Sequence, residues 1–133
     1  MKRLFGVIVA IGLLTILISL LAACGTTTTT SAPRQVHTNQ VHMNESNFDQ
    51  PSITIKKGES ITLVNDTATI HIIENGTWDN NGNARAEKEP GAPIVDAQMN
   101  GYAHQEVGPF NTAGTFHLYC PIHPGMKLTV IVS

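Results

Sequence analysis

The chain has 133 residues, a formal net charge of −2 and only 14% charged side chains, which is a one-domain length. That balance excludes a charge-driven partnership with nucleic acid or another polyanion. Aromatic residues make up 5% of the chain, so a β-rich core would be built from Ile, Val and Leu. The two cysteines, Cys24 and Cys120, stand in contexts too different for a disulfide to be the first reading.

Residues 1–23 read as an address rather than as part of the fold. Lys2 and Arg3 are followed by a run from Leu4 to Ala23 without a charge, the pattern of a signal peptide. The run approaches the roughly 20 residues that span a bilayer, so a retained transmembrane anchor competes with a cleaved signal. Its end, Leu21-Ala22-Ala23-Cys24, resembles the lipobox of bacterial lipoproteins. That resemblance implies cleavage before Cys24 and lipid attachment at the Cys24 sulfur. Either way the remainder is expected outside the cytoplasm and tethered to a membrane. Residues 24–39 then form a flexible linker: Thr26 to Thr30 run unbroken and no apolar periodicity follows. His37 falls in this linker and is expected to be solvated.

Residues 40–133 carry strand signals. His42 and Met43 lie on an expected first strand. Ser52 to Lys56 alternates with period two, Lys57-Gly58-Glu59 forms a turn, and Ser60 to Val64 alternates again. Ile53, Ile55, Ile61 and Leu63 would then face one core. Thr69 to Ile73 is β-branched around His71. Gln105 to Val107 forms a short strand, and Asn111 to Gly114 a turn. Thr115 to Cys120 places Phe116, Leu118 and Cys120 on one face. Lys127 to Val132 does the same for Leu128, Val130 and Val132. Short strands between turns, with no strand–helix rhythm, predict an all-β two-sheet sandwich or barrel. Asn75 to His104 resists this reading. It looks like an irregular insertion, long for a structureless loop, in which Pro93 to Met99 suits a short helix.

The chemistry sits near the end of the chain. Cys120-Pro121-Ile122-His123-Pro124-Gly125-Met126 presents thiolate, imidazole and thioether at three-residue spacing between two strands. A tight loop there can aim several side chains at one point. Soft thiolate, imidazole and a weak axial thioether suit copper in its type 1, blue-copper arrangement. Such a site needs a second imidazole from elsewhere, and His71 is the natural candidate. His104 is a rival for that place. His42, Met43 and His117 read as surface or packing residues. Zinc is disfavoured, since thioether is a poor zinc ligand. A two-copper centre would need a second cysteine in the loop.

Cys-x2-His-x2-Met after a Gly-Thr-Phe-x-x-Tyr strand resembles the plastocyanin/azurin family of cupredoxins, and the short spacing is similar to the amicyanin-type ligand loop. Phe48, Pro51, Lys57-Gly58-Glu59 and Val64-Asn65 add to the likeness. The resemblance implies a Greek-key β-sandwich, one copper ion held by His71, Cys120, His123 and Met126, and electron transfer between larger redox partners. Two positions depart from the pattern. Ile72 follows His71 where the family usually carries an Asn that ties the ligand-bearing segments together. Pro121 follows the cysteine and lacks an N–H.

Three function classes follow. An electron carrier, expected to be a monomer, would dock redox proteins transiently through Pro121, Ile122, Pro124 and Gly125 around the edge of His123. A lipoprotein that stores copper or delivers it to a membrane oxidase is the second class; Met43, Met99 and the scattered histidines point that way. An enzyme is the third, and it is disfavoured because no second copper site or acid–base pair is visible.

Overall fold

The structure, a computed structural model, describes residues 39–133. The signal segment, Cys24, the threonine run and His37 lie outside the described residues. Nine strands occur among those described: β1 (Gln40–Met43), β2 (Ser52–Ile55), β3 (Ile61–Asn65), β4 (His71–Trp78), β5 (Ala84–Ala86), β6 (Asp96–Met99), β7 (His104–Val107), β8 (Gly114–Tyr119) and β9 (Lys127–Val132). One sheet has the order β1-β3-β7. The other has the order β2-β9-β8-β4-β5, with β6 also paired to β4. The chain therefore crosses repeatedly between the sheets, and the result is the expected all-β Greek-key sandwich.

The alternation in sequence explains which faces meet. In the β2–β9 pair, Ile53 stands beside Val130 and Ile55 beside Val132. Across β8–β9, Phe116 meets Val130 and Leu118 meets Leu128. Side chains of one row thus share one face of the sheet. In the other sheet Val41 pairs with Leu63 and Ile61 with Val107, and all four are buried. Ile55, Ile61 and Leu63 are buried in the common core, with Ile53 packed against it. Each such side chain contributes about 1.5–3 kcal/mol relative to exposure.

The stretch from Asn75 to His104 is not an irregular insertion. β4 runs on through Trp78, turns at residues 79–83 and pairs with β5. The expected helix over Pro93 to Met99 is also wrong: Asp96–Met99 is strand β6, antiparallel to β4, with His71 opposite Met99. Two physical reasons favour the strand. Ala97 and Met99 are buried while Asp96 and Gln98 are exposed, a period of two rather than 3.6. The first half of β4 also has a free edge whose backbone groups need partners.

Within β4, His71, Ile73 and Asn75 are buried alternately, and then Gly76 and Trp78 are buried, so the phase changes at Gly76. Gly76 has φ of 135°, a conformation open to glycine. A Cβ there would overlap the Arg85 carbonyl oxygen and lie 2.8 Å from Cε1 of Tyr119. This break turns Trp78 inward.

Candidate metal centre

Strand β4 opens with His71, which has no solvent exposure. The turn that delivers it is braced by Asn65, itself buried at the end of β3. The Asn65 amide donates to the carbonyls of Thr69 (2.6 Å) and Asn100 (3.0 Å). Its side-chain oxygen accepts from the Thr67 amide (3.1 Å) and hydroxyl (3.2 Å). Both N–H donors and both oxygen lone pairs of the amide are thereby engaged. The neighbouring turn holds Tyr102 at φ 60°, uncommon for a bulky residue, with its amide donating to the Thr67 carbonyl at 2.9 Å.

β8 ends at Tyr119, and Cys120 follows as a free, fully buried thiol. The loop closes on its own backbone. The Cys120 amide donates to the Met126 carbonyl (3.1 Å), the His123 amide to the Cys120 carbonyl (3.3 Å) and the Met126 amide to the His123 carbonyl (3.1 Å). This brings Cys120 Sγ to 3.3 Å from His123 Nδ1. The ring centroids of His71 and His123 are 4.7 Å apart. One ligand atom from each of His71, Cys120 and His123 falls within 4.8 Å of the other two, the one such His/Cys/acid group among the described residues. Met126 is fully buried on the same loop.

The donor set fits a soft metal ion. Both ring nitrogens of His71 are buried without a hydrogen-bond partner. An unsatisfied buried polar atom costs about 1–3 kcal/mol, and a metal bond would remove that penalty at one nitrogen. Burial, and then the neighbouring His123, hold His71 below the ordinary histidine range; the Asn44 backbone acts the other way without reaching hydrogen-bond geometry. The resulting neutral imidazole is the metal-binding form.

Other histidines do not join. His104 is exposed at the start of β7 and is absent from the cluster. His42 bonds Asp66 at 2.7 Å and His117 bonds Glu89 at 2.6 Å, while Met43 is in the core. Sequence reasoning missed two residues that support the loops. Asn65 was legible only as part of a family pattern. Trp78, whose indole donates to the Cys120 carbonyl at 3.1 Å, had no local signal beyond being the chain's only tryptophan.

Fold and donor set together define a cupredoxin, a β-sandwich built around one copper ion. Residues 35–133 match the model of the copper binding proteins of the plastocyanin/azurin family. The chain belongs to that family. It is 33% identical over 88 residues to plastocyanin from Scenedesmus fuscus, covering 65% of this chain and 86% of that protein. The novel purple cupredoxin from Nitrosopumilus maritimus has a similar fold, with a TM-score of 0.54, 21% identity, and 71% of this chain and 98% of that chain covered. Amicyanin from Paracoccus versutus does too, with a TM-score of 0.54, 23% identity, and 77% of this chain and 86% of that chain covered. The cofactor is accordingly one type 1 copper ion, and proteins of this class are electron carriers.

Proposed function

We propose that the chain is a membrane-anchored extracytoplasmic carrier of single electrons, with His71, Cys120, His123 and Met126 as its copper ligands. The convergence of the His71, Cys120 and His123 ligand atoms within 4.8 Å carries the reading. Copper, when bound, would accept one electron as Cu(II) and release it as Cu(I). Cys120 would serve as thiolate, the two imidazoles as neutral donors and Met126 as a weak thioether donor. Loops tied to strands by Asn65 and by the backbone bonds of 120–126 would hold the donors nearly fixed between the two redox states.

Ile122 and Ile70 are half-exposed beside His123 and His71, and Tyr102 is more exposed still. Small apolar groups around the His123 edge suit brief docking of larger redox proteins and fast release. The chain works as a monomer, is not an enzyme, and is tethered by lipid on Cys24 through the 24–39 linker. Residues 1–23 act as the lipoprotein signal peptide and residues 40–133 form the cupredoxin domain.

The test is an absorption and paramagnetic-resonance spectrum of the copper-loaded chain, followed by voltammetry. A thiolate-to-copper charge-transfer band and a reversible one-electron wave are expected; a colourless copper complex without such a wave would sink the reading. Met126→Leu should keep one copper per chain and shift the potential. Unchanged potential would remove Met126 from the ligand set.

A further inference from the structure

The ladder between β4 and β8 is short: Glu74 pairs with Tyr119 and Asn75 with Leu118. Beyond Tyr119 the chain enters the ligand loop, and beyond Asn75 strand β4 diverges to meet β5. A side chain adds a further connection between β4 and the start of the loop. Trp78, the last residue of β4, is 9% exposed, and its indole N–H donates to the Cys120 carbonyl in a buried bond of 3.1 Å. The same oxygen accepts the His123 amide at 3.3 Å. One carbonyl thus joins Trp78, Cys120 and His123. Pro121 has no N–H with which to make such a link, and Ile72, next to His71, has only an apolar side chain.

The placement of the indole is built, not incidental. The phase change at Gly76 turns Trp78 inward. Tyr119 then packs edge-on to it, with ring centroids 6.3 Å apart at 76°. The Tyr119 hydroxyl faces Glu74 at 3.4 Å. The indole therefore cannot swing without displacing the residue that precedes Cys120.

Resting on the copper reading of Cys120 and His123, we propose that Trp78 is a positioning residue for the copper–thiolate bond. By fixing the plane of the Cys120–Pro121 peptide, it sets the direction from which Cys120 Sγ and His123 approach the metal. The positive end of the N–H dipole also offsets the partial negative charge of a carbonyl beside the centre. That disfavours the more highly charged oxidised ion and raises the potential.

A purely packing role for a buried tryptophan, whose N–H merely finds a partner, is the competing explanation. Trp78→Phe separates the two, because it keeps an aromatic ring and removes the donor. In the full chain this variant should bind one copper yet show a shifted charge-transfer band, altered copper hyperfine splitting and a lower potential. A variant with the parent's band, splitting and potential would overturn the proposal while leaving the copper reading intact. A parent chain that holds no copper would overturn both. Should the variant fail to fold, indole N–H exchange in the ¹⁵N-labelled parent decides. Exchange slower than that of a free indole by at least about tenfold is expected. Exchange at the free rate in a folded chain would end the proposal.

Discussion

The ligand loop and the segment from Gly76 to Met99 serve the same sheet, yet they are held in opposite ways. The loop is closed by its own backbone, through three bonds among Cys120, His123 and Met126. The segment is tied down by side chains from distant residues. Asn75 donates to the Pro93 carbonyl (3.1 Å) and accepts from the Val95 amide (2.8 Å), and Glu89 meets His117. A self-closed loop keeps its shape when its surroundings change. A segment pinned by long-range side-chain bonds depends on each pin. Trp78 is where the two regimes meet, since a residue of the segment bonds the carbonyl that starts the loop.

The contrast can be broken from the loop side first. Cys120→Ala removes the thiolate while the backbone bonds of the loop remain available. Visible charge transfer should vanish completely, with the apo fold retained; a surviving band would mean that another sulfur binds the metal. On the segment side, Gly76→Ala places a Cβ into the Arg85 carbonyl at a backbone angle of 135°. A loss of about 3 kcal/mol is expected from the urea midpoint of the apo chain. A loss below about 0.5 kcal/mol would show that β4 tolerates an uninterrupted strand there.

Asn75→Ala sharpens the comparison at smaller cost. It strands the Pro93 carbonyl and the Val95 amide, and about 1–3 kcal/mol should be lost. Faster exchange of the Val95 amide is expected with little change at the His123 amide. Equal acceleration at both would show that loop and segment open together.

The mildest probe is pH on the apo chain. His71 is held below 6.5 by burial and then by His123. The unfolded chain therefore binds its proton at a higher pH than the folded one, and stability rises with pH between the two values. His71's contribution should be complete above about pH 6.5 and fade as pH falls through the lowered folded value. A denaturation midpoint that stayed flat down to about pH 5 would contradict this.

The strands flanking the site were legible because their alternation is local. Lys127–Val132 appears as expected, and Phe116, Leu118 and Cys120 share the buried face read from the sequence. The expected strand from Ser60 to Val64 is shifted by only one residue, to Ile61–Asn65. The reading failed between Asn75 and His104. Strand β6 is four residues long and its partner is the distant β4, so the brief Asp96-Ala97-Gln98-Met99 alternation was too short a local signal to set against Pro93 and its neighbours. Tyr119 also defied alternation. It is buried on the side where a strand facing solvent would expose it, because Trp78 and Gly76 cover its ring.

The loop chemistry was written in a single local stretch: thiol, imidazole and thioether lie within seven residues between two alternating strands, so any fold that keeps those strands keeps these groups together. It took the folded chain to show that His71 rather than His104 lies beside Cys120 and His123, and that Trp78 reaches a carbonyl 42 residues away. Both outcomes depend on which strands cross and where β4 breaks its phase. Those are set by the pairing of distant edges and the burial of their rows, which no local window contains.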